Sequence, residues 1–138
     1  MNLGRLNHVG VATPSIAQSV ALYRDTLGAQ VGEAFDLPAQ KVRVCFVELP
    51  NGQVELLEPL GEDSPVARFL LKNPAGGQHH LCFEVESIDA AVAEMKGKGV
   101  QVLGEPRLGA HGTPVVFLHP RDMGGVLVEL MERPREGH

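Results

Sequence analysis

The chain has no tryptophan, one tyrosine and five phenylalanines among its 138 residues. It therefore offers no aromatic platform on which nucleobases would stack. Positive charge is also scarce: 12 Lys and Arg stand against 17 Asp and Glu, a net charge of −5. Without a basic stripe there is no electrostatic case for nucleic acid or an anionic membrane. No apolar run approaches the ~20 residues that span a bilayer. A strand pattern begins by about Leu6, so no signal or transit peptide is expected, and a cytoplasmic protein is the expectation. Only two cysteines are present, Cys45 and Cys82, each inside an apolar strand-like run. Both are expected as buried, reduced thiols.

What is present is repetition. Aligning His80 on His8 brings Ser87-Ile88 over Ser15-Ile16 and Val92-Ala93 over Val20-Ala21, at an offset of 72. Val54-Glu55-Leu56-Leu57-Glu58 returns as Val128-Glu129-Leu130-Met131-Glu132, at an offset of 74. Self-similarity of this kind marks two copies of one structural unit. With 43% hydrophobic and 21% charged residues, the composition is that of one ordinary globular domain spanning 1–138.

Residues 5–12 alternate as a strand, with His8, Gly10 and Ala12 on one face and Val9 and Val11 on the other. Ser15 caps a helix, with Gln18 completing a capping-box pattern and Ile16, Val20, Tyr23 and Leu27 forming its apolar stripe up to Gly28. Strands are expected at 29–36, 42–49 and 53–58, the last two joined at Pro50-Asn51-Gly52. The first module, about 5–60, thus reads βαβββ. Ser64-Pro65 opens a connector helix over 64–73, its apolar surface supplied by Ala67, Phe69, Leu70 and Leu71. The second module, about 78–132, repeats the order: strand 78–86, helix 87–98, then strands near 100–104, 114–119 and 125–132, with a turn at Gly124-Gly125. Residues 133–138, His138 included, read as a frayed, solvated end. The fold class is α+β: two βαβββ modules whose curved mixed sheet wraps a metal-binding cleft.

Strand parity places Leu81, Phe83 and Val85 with His79 beneath the module's helix and turns His80, Cys82 and Glu84 the other way. His80 is thus the candidate ligand and His79 the structural histidine. Glu55 and Glu129 each sit between apolar neighbours, where an ionised carboxylate is costly unless paired or metal-bound. His8, Glu55, His80 and Glu129 form a donor set suited to one borderline divalent ion, Co²⁺, Zn²⁺, Ni²⁺ or Mn²⁺. One or two positions would stay open for water or substrate, as catalysis requires.

The strand Leu6-Asn7-His8-Val9-Gly10-Val11-Ala12 resembles the first strand of the vicinal-oxygen-chelate superfamily, which has the glyoxalase-like fold. The segments Glu55-Leu56-Leu57-Glu58-Pro59, Gly77-Gln78-His79-His80-Leu81, Gly109-Ala110-His111-Gly112, Phe117-Leu118-His119-Pro120 and Gly124-Gly125-Val126-Leu127-Val128-Glu129 narrow the resemblance to its methylmalonyl-CoA epimerases. The likeness runs over about 5–132. It implies a homodimer that binds an acyl-CoA substrate and a divalent ion, Co²⁺ above all, through His8, His80 and Glu129, with Glu55 in a fourth position that is Gln in some members. The implied reaction interconverts (2R)- and (2S)-methylmalonyl-CoA by moving the C2 proton, and the chemistry of that step makes Glu129, at the edge of the metal's shell, the candidate for one base. Where one branch of the family places a second basic Glu, this chain has Val44. The stand-ins are Glu48, Gln40 or a metal-bound water. His111, in the loop 109–114, is either a substrate neighbour or a turn residue, and His119 is expected in a turn. Lys41, Arg43 and Arg107 remain unassigned. Two other readings of the same fold are a glyoxalase-like isomerase acting on a thiol adduct and a non-catalytic ligand-sequestering protein.

Overall fold

The computed structural model describes residues 1–134, so the expected frayed end lies outside the described residues from 135 on. Arg133, which that expectation included, is instead tied in: its N–H donates to the carbonyl of Val85 at 2.8 Å. The chain resolves into two compact units, one over His8–His79 and the other joining Met1–Asn7 to the segment from His80 onward.

The first unit carries β1 (Leu6–Ala12, its first two residues counted with the other unit), α1 (Ile16–Val20), β2 (Gln30–Val31), β3 (Phe35–Leu37), β4 (Val42–Leu49), β5 (Gly52–Pro59) and α2 (Pro65–Lys72). Its strands run β2-β4-β5-β1, with β3 also on β4. β1 lies parallel to β5, and β4 antiparallel to it with Leu49 opposite Gly52 across the tight turn. Ile16, Cys45, Val47 and Leu56 form the buried core beneath α1, joined by the partly buried Val11, Val20, Tyr23 and Val54. Burying each large aliphatic side chain contributes about 1.5–3 kcal/mol relative to leaving it in water.

Three expectations change here. The strand placed over 29–36 is two pieces, β2 and β3. Both pair with β4, but the register slips by one residue between them. The break falls at Gly32, whose N–H still bonds the carbonyl of Phe46 at 2.9 Å, the behaviour of a bulge. The first helix is α-helical for five residues only and continues as a π-helical turn, Ala21–Thr26. The wider turn rotates the later side chains off the expected stripe: Tyr23 still packs inward, while Leu27 is exposed. In α2 the buried contact is Val66, and Leu71 is 81% exposed. Ser64 caps α2 by accepting from the N–H of Val66, and Pro65 begins it, as the sequence predicts.

The second unit carries β6 (Gly77–Val85, its first three residues counted with the first unit), α3 (Ile88–Gly97), β7 (Val102–Leu108), β8 (Pro114–Leu118) and β9 (Val128–Glu132). The strand order is β6-β9-β8-β7, with β6 and β9 parallel. Ser87 caps α3 through the N–H of Ala90, and Ile88, Ala91 and Met95 bury against Val85, Val116, Leu118 and Leu130. β7 is longer than expected and bulged between Leu103 and Arg107, beside Gly104 at φ +85°, the place in the repeat that Gly32 holds in the first unit. The last strand starts at Val128 rather than 125, because Gly124 and Gly125 turn left-handed and Gly125 N–H closes on the carbonyl of Pro120. Among the described residues no helix is long and apolar enough to cross a membrane.

Candidate metal centre

In the first unit, β1 and β5 present His8 and Glu55 on the face away from α1. Their register pairs Gly10 with Glu55 and His8 with Gln53. The imidazole and carboxylate meet on the diagonal, with His8 Nε2 3.5 Å from Glu55 Oε1. Gly10 has no side chain to compete for the space above its register partner. The rings of His8 and Phe46 meet T-shaped, their centroids 6.3 Å apart at an interplanar angle of 74°. Phe46 is itself Glu55's partner on β4.

The second unit rebuilds this arrangement. His80 Nε2 lies 3.2 Å from Glu129 Oε1, again on a diagonal, because β6 pairs Cys82 with Glu129. Phe117, Glu129's partner on β8, packs T-shaped with His80, the ring centroids 5.4 Å apart at 87°. Cys82, Val115 and Met131 form a small buried cluster on the same face. Parity separates the two sides as expected: Phe83 and Val85 pack with α3, and His80 and Cys82 turn away from it.

His8, Glu55, His80 and Glu129 are only 2–6% exposed. A carboxylate so far from water needs cations or strong donors around it. Each unit thus holds one His–Glu pair walled by one phenylalanine, the donor chemistry of a site for a divalent ion. Phe46 and Phe117 were not singled out as site residues. Phe46 falls nine residues before Glu55 and Phe117 twelve before Glu129, each inside an otherwise largely aliphatic strand that pairs with the glutamate's own.

The remaining candidates lie elsewhere or do other work. Val44 is fully buried in β4, a hydrocarbon position with no proton to give or take. Glu48 is exposed and accepts a hydrogen bond from Gln53 Nε2 at 2.8 Å. Gln40 ends a 3₁₀ turn, Pro38–Gln40, ahead of β4. Lys41 pairs with Asp63 at 2.5 Å and holds that carboxyl below the usual carboxylate range, the hydrogen bond being the main cause. Arg43 pairs with Asp36 at 2.9 Å and lies 3.6 Å from Glu58. His79 packs edge-on against Phe69 of α2 at 5.2 Å. His111 lies in the loop that Gly109 and Thr113 close by a backbone hydrogen bond. His119 caps the turn after β8, its Nδ1 accepting from the N–H of Arg121 at 3.0 Å. Burial pushes the Cys45 thiol up, and its Sγ donates to the carbonyl of Gly32.

Comparison with known proteins follows the same lines. A family model, the Glyoxalase/Bleomycin resistance protein/Dioxygenase superfamily, matches residues 7–117. The human mitochondrial methylmalonyl-CoA epimerase is 58% identical over 130 residues, 94% of this chain and 74% of that protein. An ethylmalonyl-CoA/methylmalonyl-CoA epimerase from Cereibacter sphaeroides is also 58% identical, over 93% of this chain and 97% of that protein. Among solved structures, a variant of the Streptomyces coelicolor methylmalonyl-CoA epimerase in complex with 2-nitronate-propionyl-CoA superposes with a TM-score of 0.89 at 38% identity, covering 95% of each chain. Fold, repeated half-sites and sequence agree: the chain has the glyoxalase-like fold and belongs to the methylmalonyl-CoA epimerases of the vicinal-oxygen-chelate superfamily.

Proposed function

We propose that this chain interconverts (2R)- and (2S)-methylmalonyl-CoA, acting as one domain in which His8, Glu55, His80 and Glu129 hold a single divalent ion. The observation that carries the reading is the duplicated His–Glu–Phe half-site, at 3.5 Å in one unit and 3.2 Å in the other. Two imidazole nitrogens and two carboxylate oxygens fit a borderline ion, and Co²⁺ is our choice among Co²⁺, Zn²⁺, Ni²⁺ and Mn²⁺. When bound, that ion supplies fixed positive charge for the oxygen on which the enolate's negative charge develops.

The chain's own residues do the rest. Glu129 exchanges the C2 proton on one face, taking it in one direction of the reaction and delivering it in the other, which a carboxylate at the edge of the site is suited to do. Inversion requires that a second donor protonate the opposite face. His8 and His80, each packed T-shaped against Phe46 or Phe117, keep their ring planes fixed, so each half-site is assembled before substrate arrives. The same phenylalanines exclude water from the carboxylates. Val44 carries no proton, so the second face is not served by that position.

The acyl-CoA substrate class is supported by the Streptomyces relative's complex with 2-nitronate-propionyl-CoA. Cys45 and Cys82, both buried thiols, suit the reducing cytoplasm. A homodimer is supported by the family resemblance alone, and light scattering tests it. The function is tested by following conversion of one methylmalonyl-CoA epimer into the other with chelated protein, then after adding back each candidate ion. Metal-dependent conversion supports the reading. A metal-loaded sample that leaves methylmalonyl-CoA unchanged yet isomerises a thiol adduct would replace it with the glyoxalase-like activity.

A further inference from the structure

The two half-sites differ at one position. Gly10 of β1 and Cys82 of β6 hold the same place in the repeat, and each is the register partner of its unit's glutamate. Where the first unit leaves bare backbone, the second sets a thiol. Cys82 is fully buried, its sulfur lies within 4.8 Å of a Glu129 carboxylate oxygen, and it shares a strand face with His80 two residues away. Sulfur is a soft donor, preferred by thiophilic ions and passed over by hard ones.

We propose that Cys82 is a conditional metal ligand, which rests on the four-residue site above. A thiophilic divalent ion, Cd²⁺ as the probe, draws the sulfur into its shell beside Glu129. The S–H bond breaks, its proton leaves to solvent, and a sulfur–metal bond forms with no change of oxidation state. A hard ion such as Mn²⁺ binds oxygen and nitrogen donors only, and Cys82 stays a packing residue.

The test adds Cd²⁺ to the metal-free full chain and records thiolate-to-metal charge-transfer absorption in the ultraviolet. Cd²⁺ and Mn²⁺ affinities are measured alongside by calorimetry, for the wild type, Cys82→Ser, Cys82→Ala and Cys45→Ser. The chain has only these two cysteines, so Cys45→Ser isolates the signal. Expected are a band in the wild type and Cys45→Ser, its loss in both Cys82 variants, and a fall in their Cd²⁺ affinity of about tenfold or more. Mn²⁺ affinity is expected to stay unchanged, which also shows that the variants fold. Wild-type protein that binds Cd²⁺ without the band overturns the assignment, with no variant needed. A band that disappears in Cys45→Ser overturns it equally. Failure of the wild type to bind either ion overturns the four-residue site itself, and this assignment with it.

Discussion

Glu132, the last residue of β9, accepts a hydrogen bond from the backbone N–H of Ile88, the first residue of α3, at 3.1 Å. Glu58 does the same for Ile16 at the start of α1, at 2.8 Å. Each carboxylate lies three residues beyond its module's site glutamate. It satisfies an N–H that the helix leaves unpaired and favours the positive end of the helix dipole. The strand that carries Glu129 is thereby pinned to the helix packed under it. Glu132→Ala should cost about 1 kcal/mol, in the range of a lost N-cap, while Glu132→Gln keeps an acceptor oxygen and most of the stability. Urea denaturation of the two variants checks this, and equal losses would show that the charge rather than the hydrogen bond matters.

His80→Ala removes an imidazole that is almost wholly buried beside Glu129. Metal retention after dialysis and epimerase activity should be lost together, while the far-ultraviolet circular dichroism stays native. A variant that keeps its metal and its activity would remove His80 from the ligand set.

Glu129→Gln preserves an oxygen donor and the size of the side chain but cannot accept a proton. Part of the metal should stay bound. Proton exchange on one face of C2 should fall by about 10²–10⁴-fold, the usual contribution of a general base. Exchange at wild-type rate would transfer the base role to another residue.

Gly76 has φ +93°, and a Cβ built there would collide with the carbonyl oxygen of Ala12. Neither the carbonyl nor the left-handed backbone can give way cheaply. Gly76→Ala should lower the melting temperature, whereas the same change at Gly97, a helical residue with open space around it, should be neutral or slightly stabilising. Thermal unfolding of both variants checks the contrast.

Much of this was legible in the sequence because the chain states its pattern twice. The offset that placed His80 over His8 also set it apart from His79, which packs on Phe69 while His80 lies beside Glu129. Helix starts at Ser15, Ser64 and Ser87 were readable because a hydroxyl cap acts locally. What escaped depended on partners distant in sequence or on small departures from ideal geometry. The π-helical turn after Val20 follows no residue signature, yet it moved Leu27 off the core. The bulges beside Gly32 and Gly104 shift register without disturbing the apolar alternation. Glu58 and Glu132 were visible as repeated residues, but their task needs the N–H groups of Ile16 and Ile88, more than forty positions away. Phe46 and Phe117 read as ordinary strand residues until the imidazoles stood against them.

The central claim is that the paired His–Glu half-sites serve proton exchange at C2 of methylmalonyl-CoA. It is tested most directly by mass-spectrometric deuterium incorporation at C2 in D₂O, first with metal-free protein and then with Co²⁺ restored. The account predicts incorporation with inversion only when the ion is present, and its loss on one face in Glu129→Gln. Metal-loaded protein that leaves the C2 proton in place would contradict it.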